Sequence, residues 1–78
     1  MAKYIGEDMV YADPISAKSI VLENGKEYDA KFQYDGPPQV IINSQVVQPP
    51  GATVWAILEN GQINIPFAPD LISNFWEE

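Results

Sequence analysis

Residues 56–67 read AILENGQINIPF and carry the strongest local signal for the fold. An Asn-Gly pair between β-forming residues favours a tight hairpin, because both residues tolerate positive φ angles. A two-residue turn at Asn60-Gly61 places three apolar pairs opposite one another: Leu58 with Ile63, Ala56 with Ile65, and Val54 with Phe67. A three-residue loop shifts the register and pairs Ile57 with Ile63 instead. In both registers residues 53–58 are apolar on both faces, as in a central or interface strand.

The same four letters, Leu-Glu-Asn-Gly, occur earlier, at residues 22–25. Here a two-residue turn places Leu22 opposite Glu27, which is a poor match. A three-residue loop ending at a left-handed Gly25 instead gathers apolar side chains on one face: Ile20, Leu22, Tyr28, Ala30 and Phe32. The apolar positions that follow the two turns have opposite parity. This favours one turn solution used twice over a duplicated domain, although two short motifs leave duplication open.

The rest of the chain continues the β pattern. Residues 40–47 form one strand or a small hairpin, and prolines 37, 38, 49, 50 and 66 limit sheet addition at exposed edges. From Pro69 the spacing of apolar residues up to Trp76 predicts a short C-terminal helix. We therefore predict a mainly β fold, a small antiparallel barrel or sandwich of about five to seven short strands. It includes two Asn-Gly hairpins and forms a single domain over residues 1–78.

The composition excludes several kinds of chemistry. The chain has 78 residues, 46% of them hydrophobic, and contains neither cysteine nor histidine. Disulfides, thiolate metal sites and Ser-His or Cys-His catalysis are therefore impossible. Glu27 and Asp29 alternate onto one strand face, but solvent-facing strands produce this spacing routinely. We predict no catalytic residue, no cofactor and no metal site, and hence a protein that is not an enzyme.

The charge limits the partners. Eleven acidic residues and four lysines give a net charge of −7, and arginine is absent. Direct binding to nucleic acid is disfavoured, because phosphate contacts need Lys and Arg. From the sequence we predict no signal peptide and no transmembrane segment. We expect no membrane association and a soluble protein, cytoplasmic or within a particle assembled inside a cell.

Two functional hypotheses follow. A small core without covalent cross-links suggests a structural or assembly protein, an oligomerising or docking subunit of a larger particle, such as a virus-type or phage-type accessory protein. Its interface candidates are the large apolar residues Trp55, Ile57, Leu71, Phe75 and Trp76. The alternative is an acidic inhibitor that covers a basic, nucleic-acid-binding surface of a partner protein. Its candidates are the acidic residues Glu23, Glu27, Asp29 and Glu59.

Overall fold

The protein is described by a computed structural model that covers residues 1–38, 40–47 and 51–78. These residues contain ten short strands: β1 (Ala2–Tyr4), β2 (Met9–Ala12), β3 (Ser19–Leu22), β4 (Glu27–Tyr28), β5 (Lys31–Asp35), β6 (Val40–Ile42), β7 (Gln45–Val47), β8 (Thr53–Leu58), β9 (Ile63–Phe67) and β10 (Trp76–Glu77). Two 3-10 turns, Glu59–Gly61 and Ile72–Asn74, complete the regular structure. Pro49 and Pro50, two of the prolines expected to protect edges, lie outside the described residues.

The strands form four small antiparallel sheets in the described part of the chain. Their strand orders are β10-β1-β4, β2-β3, β5-β8-β9 and β6-β7. The prediction of a mainly β fold is confirmed. Within residues 1–38, 40–47 and 51–78, however, no sheet closes into a barrel. The strands outnumber the predicted five to seven because several are only two or three residues long.

The sheet β5-β8-β9 has one face in the core and one toward solvent. Phe32, Ala56 and Ile65 are cross-strand neighbours on the inner face. On the outer face Gln33 and Pro66 flank Trp55. This alternation follows from the period of two in a strand, so the residue parity of β8 decides which side chains enter the core. Pro66 lies on the edge strand β9, where a missing N–H is tolerated.

Strands β8 and β9 pair in one of the two registers that the sequence allows. Leu58 lies opposite Ile63, as a turn at Asn60-Gly61 requires. The two-residue turn itself is not formed, because Glu59 also takes a positive φ of 51° and leaves the ladder. Residues 59–61 form a 3-10 turn closed by the N–H of Gln62, which donates to the carbonyl of Glu59 at 3.2 Å.

The first Leu-Glu-Asn-Gly segment does not close a hairpin, so the predicted hairpin that gathers Ile20, Leu22 and Tyr28 on one face is wrong. Strand β3 pairs with β2, whereas β4 pairs with β1. Gly25 takes the expected positive φ of 85°, but its N–H donates to the carbonyl of Tyr4 at 2.7 Å. The side-chain amide of Asn24 donates to the carbonyls of Ile5 and Gly6, each at 3.0 Å. The turn is thus bound to the segment after β1, and this separates the strands on its two sides.

The predicted C-terminal helix is also absent from the structure, in which residues 69–78 are fully described. A 3-10 turn over Ile72–Asn74 leads into β10, which pairs with β1 so that Trp76 lies opposite Tyr4. The indole of Trp76 is buried and makes edge-to-face contacts with several rings: Tyr4 at 5.3 Å, Phe32 at 5.6 Å, Tyr28 at 6.0 Å and Phe67 at 6.3 Å between centroids. Burying this large aromatic surface outweighs the weak tendency of a two-turn segment to be helical.

The hydrophobic core joins the sheets around Trp76. Its buried members are Ala2, Tyr4, Leu22, Tyr28, Ala56, Leu58, Ile63, Ile65 and Trp76. They come from six strands, and no long helix contributes. The β6–β7 hairpin (residues 40–47) supplies none of these buried residues. In the sequence it lies between β5 and β8.

Candidate functional site

The β6–β7 hairpin is the largest group of exposed β-branched residues in the described structure. Its apolar side chains remain exposed on both faces: Val40, Ile41, Ile42, Val46 and Val47. Ile41 and Val46 are cross-strand neighbours on one face, and Val40 and Val47 are neighbours on the other. A two-stranded hairpin has too little burial to be more than marginally stable alone in water. Exposed apolar groups of this kind mark interaction surfaces.

The turn of this hairpin explains why the segment is two strands rather than one. Asn43 and Ser44 both take left-handed φ angles, 50° and 63°. Two consecutive positive φ angles are the conformation of a two-residue hairpin turn whose twist matches the flanking strands. Asn readily adopts it and Ser does so at some steric cost. The alternative left open by the sequence, a single kinked strand, is therefore excluded.

The hairpin lies between β5 and β8 in the sequence. The β5–β8 ladder ends at the pair Asp35 and Thr53, and β6 and β7 form a separate antiparallel ladder. At this junction a Cβ on Gly36 would lie 2.8 Å from the Cα of Ala52, so the two backbones are in close contact. The molecule as a whole is elongated, 41 × 27 × 18 Å. Its Cα radius of gyration of 13.5 Å exceeds the roughly 11–12 Å of a compact chain of this length.

A second candidate surface is the outer face of β5-β8-β9. Trp55 and Ile57, two of the predicted interface residues, lie two positions apart on this face and are partly exposed. With Ile15 they line a shallow groove of about 410 Å³ whose polar lining consists of Gln33, Asp35 and Asn64. The indole N–H of Trp55 donates to Asp35 Oδ2 at 3.4 Å, a long hydrogen bond that restrains the ring on the sheet. The groove is mostly apolar with a few polar groups, as binding surfaces commonly are.

The Asp13 carboxylate fixes one wall of this groove. It is 3% exposed, and its Oδ1 accepts the N–H groups of Ile15 at 2.8 Å and Ser16 at 3.1 Å. Its Oδ2 accepts the N–H of Asn64 at 2.9 Å. The hydrogen bond from Asn64, followed by those from the turn, holds the pKa of Asp13 below its ordinary value of 3.8. Its three backbone donors make this group a structural anchor for the β2–β3 turn.

The other predicted interface residues do not form one surface. Trp76 is 5% exposed and belongs to the core, so its side chain is not accessible to a partner. Phe75 is partly buried and packs against Phe67 at 5.3 Å between ring centroids. Leu71 is exposed, in the turn before the second 3-10 segment. The structure thus brings Trp55 and Ile57 together and leaves Leu71 apart.

The four predicted acidic residues are all exposed and divide into separate places. Asp29 and Glu59 line the same depression, beside Tyr28 and Leu58. Glu27 lies on β4 opposite Lys3 of β1. Glu23 precedes the turn at Asn24, and the backbone N–H of Asn24 donates to Asp8 Oδ1 at 2.7 Å. Only Asp29 and Glu59 therefore share a surface.

Sequence reasoning missed the exposure of residues 40–47 and the role of Asp13. A signal for the first was present, since no charged residue occurs between Gly36 and Leu58 and prolines flank the hairpin on both sides. The signal for Asp13 was the Ala-Asp-Pro turn, which places a short carboxylate where it can accept nearby N–H groups. Its bond to Asn64, 51 positions away, has no local signature.

Across the residues that the structure describes, no group of three or more His, Cys, Asp or Glu side chains is arranged to hold a metal ion. The same residues include no helix with the length and hydropathy needed to cross a membrane. Comparisons with protein-family models, with curated proteins and with solved structures give no match for this chain.

Proposed function

We propose that this chain is a non-enzymatic assembly protein, an oligomerising or docking subunit of a larger particle that binds through the β6–β7 hairpin. The observation that carries the proposal is the hairpin itself, which exposes β-branched side chains on both of its faces. Such a hairpin gains stability when another protein covers a face or adds a strand. A virus-type or phage-type accessory subunit is the class of protein that we favour.

The distribution of charge supports docking through this segment. All fifteen charged residues, the eleven acids and four lysines, lie outside residues 36–58. The buried centres of protein interfaces are depleted in charged residues, because an unpaired charge loses its hydration there. The hairpin is a part of this acidic chain that a partner can cover without that cost.

The contrast with β2–β3 supports the same assignment. That sheet also exposes a β-branched cross-strand pair, Val10 with Val21. Its other face packs on the core through Leu22, so the sheet is already stabilised within the chain. The β6–β7 hairpin has no comparable buried face among the described residues.

The experiment compares two double variants of matched chemistry. Ile41→Ser with Val46→Ser removes the apolar pair from the hairpin, and Val10→Ser with Val21→Ser removes a pair of similar exposure from β2–β3. Solution mass is measured by light scattering behind a sizing column, over a wide protein concentration range and at low and moderate salt. We expect an oligomer that the first double variant loses and the second keeps. Equal loss in both variants, or none in the first, would contradict the proposal.

Salt separates this proposal from the acidic-inhibitor alternative, which the shared position of Asp29 and Glu59 supports. Self-association of chains with a net charge of −7 should strengthen as salt screens their repulsion. Binding to a basic partner should weaken instead. Polylysine is a suitable probe, with Asp29→Asn plus Glu59→Gln as the test variant and Glu7→Gln plus Glu78→Gln as its control. Polylysine binding that the test variant loses selectively would support the inhibitor.

A further inference from the structure

We propose that strand β6 pairs antiparallel with β6 of a second copy of this chain, across a two-fold axis centred on Ile41. The two hairpins then form one four-stranded sheet in the order β7-β6-β6-β7. This inference rests on the proposed assembly function and specifies its partner, which is the chain itself, and the seam.

The backbone of the hairpin defines where a strand can be added. In a two-residue hairpin the pair that flanks the turn, Ile42 with Gln45, exchanges its hydrogen bonds within the hairpin. The next pair, Ile41 with Val46, therefore directs its N–H and C=O groups outward, one residue to each edge. Within the described part of the chain, β6 and β7 pair only with each other. Both edges thus offer a donor and an acceptor to an added strand.

A two-fold axis at Ile41 uses these groups completely. The N–H of Ile41 donates to the C=O of the same residue in the second copy, and the reverse bond forms by symmetry. The side chains of Val46 and Ile41 then lie beside those of the second copy and form one apolar row on a single face of the four-stranded sheet. Three or more strands with an apolar face reach the stability that two strands lack.

The charge distribution favours a second copy as the occupant. In an isologous contact a residue on the two-fold axis lies near its own counterpart, so any charged residue there meets a like charge. The chain carries a net charge of −7, and residues 36–58 contain no charge at all. This is the longest uncharged segment of the sequence, so two copies of an acidic chain can meet on it without like-charge pairs.

The composition of the two strands favours the β6 edge over the β7 edge. Strand β6 consists of three β-branched apolar residues, whereas β7 contains the polar Gln45. Ile41, at the centre of the β6 edge, is 71% exposed, and Val46 at the β7 edge is 57% exposed. β-Branched residues in cross-strand contact stabilise a sheet more than polar ones do.

The test uses charge reversal at the axis. Ile41→Glu and Ile41→Lys, each alone, place like charges across the two-fold and should weaken dimerisation at least about tenfold, as judged by the concentration dependence of the mass. An equimolar mixture of the two variants places opposite charges there and should dimerise about tenfold more tightly than either variant alone. The matched control is the same pair of changes at Val46, on the other edge, where mixing should give no such rescue.

The outcomes distinguish this inference from the proposed function. Rescue in the Ile41 mixture but not in the Val46 mixture supports the two-fold at β6. Rescue at Val46, or dimerisation unchanged in Ile41→Glu, overturns the β6 seam, while the assembly function still stands if the Ile41→Ser plus Val46→Ser variant is monomeric. A wild-type chain that is monomeric at every concentration and salt overturns the self-pairing outright. Near-UV circular dichroism of each variant, which reports the packing of Trp76, shows that the core is intact.

Discussion

The Asp13 carboxylate accepts the backbone N–H of Asn64 at 2.9 Å and so ties the β2–β3 turn to strand β9 across 51 sequence positions. Because both of its oxygens accept N–H groups, an amide at this position would direct a donor toward another donor. We expect Asp13→Asn to lower the urea midpoint of unfolding with little change in the m-value. The matched control is Asp29→Asn, a change at an exposed aspartate in the connection between β4 and β5, and its midpoint should stay near that of the wild type.

The same hydrogen bonds give the stability a defined pH dependence. The pKa of Asp13 in the folded chain lies below its ordinary value of 3.8, so its contribution is fully present above that pH. As the pH falls below 3.8, the unfolded chain takes up the proton first, and the contribution is lost down to the lowered pKa. Urea midpoints measured through this acidic window should fall more steeply for the wild type than for Asp13→Asn. Parallel profiles would show that Asp13 is not the group responsible.

Trp76 is the residue whose truncation should damage the fold most. Trp76→Ala removes four edge-to-face ring contacts and leaves a large cavity, which should cost about 3–5 kcal/mol of unfolding free energy. Total stabilities are only about 5–15 kcal/mol, so much of the variant should be unfolded at physiological temperature. Equilibrium urea unfolding followed by far-UV circular dichroism measures this.

Trp76→Phe provides the comparison. The indole N–H of Trp76 is buried without a hydrogen-bond partner in the described structure, so phenylalanine removes an unsatisfied donor as well as part of the ring. We expect its loss to be clearly smaller than that of Trp76→Ala. Equal losses for the two variants would mean that the ring contacts are not what stabilises this part of the core.

The hydroxyl of Tyr28 links the two segments that the first Asn-Gly turn connects. Its hydroxyl accepts the N–H of Glu23 at 2.9 Å and donates to the carbonyl of Val21 at 3.0 Å. Tyr28→Phe leaves both backbone groups without this partner and should cost about 1–3 kcal/mol. Tyr34→Phe, which removes an exposed hydroxyl bonded to the carbonyl of Pro37, should change the stability by less than about 0.5 kcal/mol. Thermal unfolding of both variants tests the difference.

Alanine substitutions at Gly36 and Gly51 distinguish the cost of backbone strain from the cost of steric contact at the base of the hairpin. Both take positive φ angles, 141° and 83°, but only at Gly36 would a Cβ meet neighbouring backbone. We expect Gly51→Ala to cost about 1–2 kcal/mol and Gly36→Ala more. Hydrogen exchange should show the Gly36→Ala loss first at the adjacent end of the β5–β8 ladder. Equal exchange in the two variants would rule out the close contact with Ala52.

The sequence predicted the parts of the fold that depend on alternation over several residues. The run from Val54 to Leu58 and its apolar partners in β9 allow two registers, and the one that pairs Leu58 with Ile63 is observed. The first Asn-Gly turn misled the prediction, because a turn signal does not specify which strand Leu22 pairs with. Its partner, Met9, is set by the hydrogen bonds of Asn24 and Gly25 to the N-terminal segment.

The candidate site was less predictable for a related reason. The spacing of Phe75 and Trp76 fits one side of a helix as well as an alternating strand, and only the packing of Trp76 on Tyr4 decides between them. The β-branched residues of the segment 40–47 predict one strand or a small hairpin, and β-branching alone does not tell a buried hairpin from an exposed one. Strand parity alone places Trp55 and Ile57 on one face, whereas their role as interface residues stays a prediction.

The pairing of β1 with both β4 and β10 has a consequence for how the chain folds. Tyr4 and Trp76, the centre of the core, are separated by almost the whole described sequence, so this contact forms only after the longest loop has closed. Topologies dominated by such distant pairs fold slowly for their size. During that interval the uncharged segment 36–58 is exposed beside an unformed core, and collisions between chains compete with folding. The eleven acidic residues outside this segment then slow aggregation, because their mutual repulsion lowers the rate at which unfolded chains meet until the core has closed.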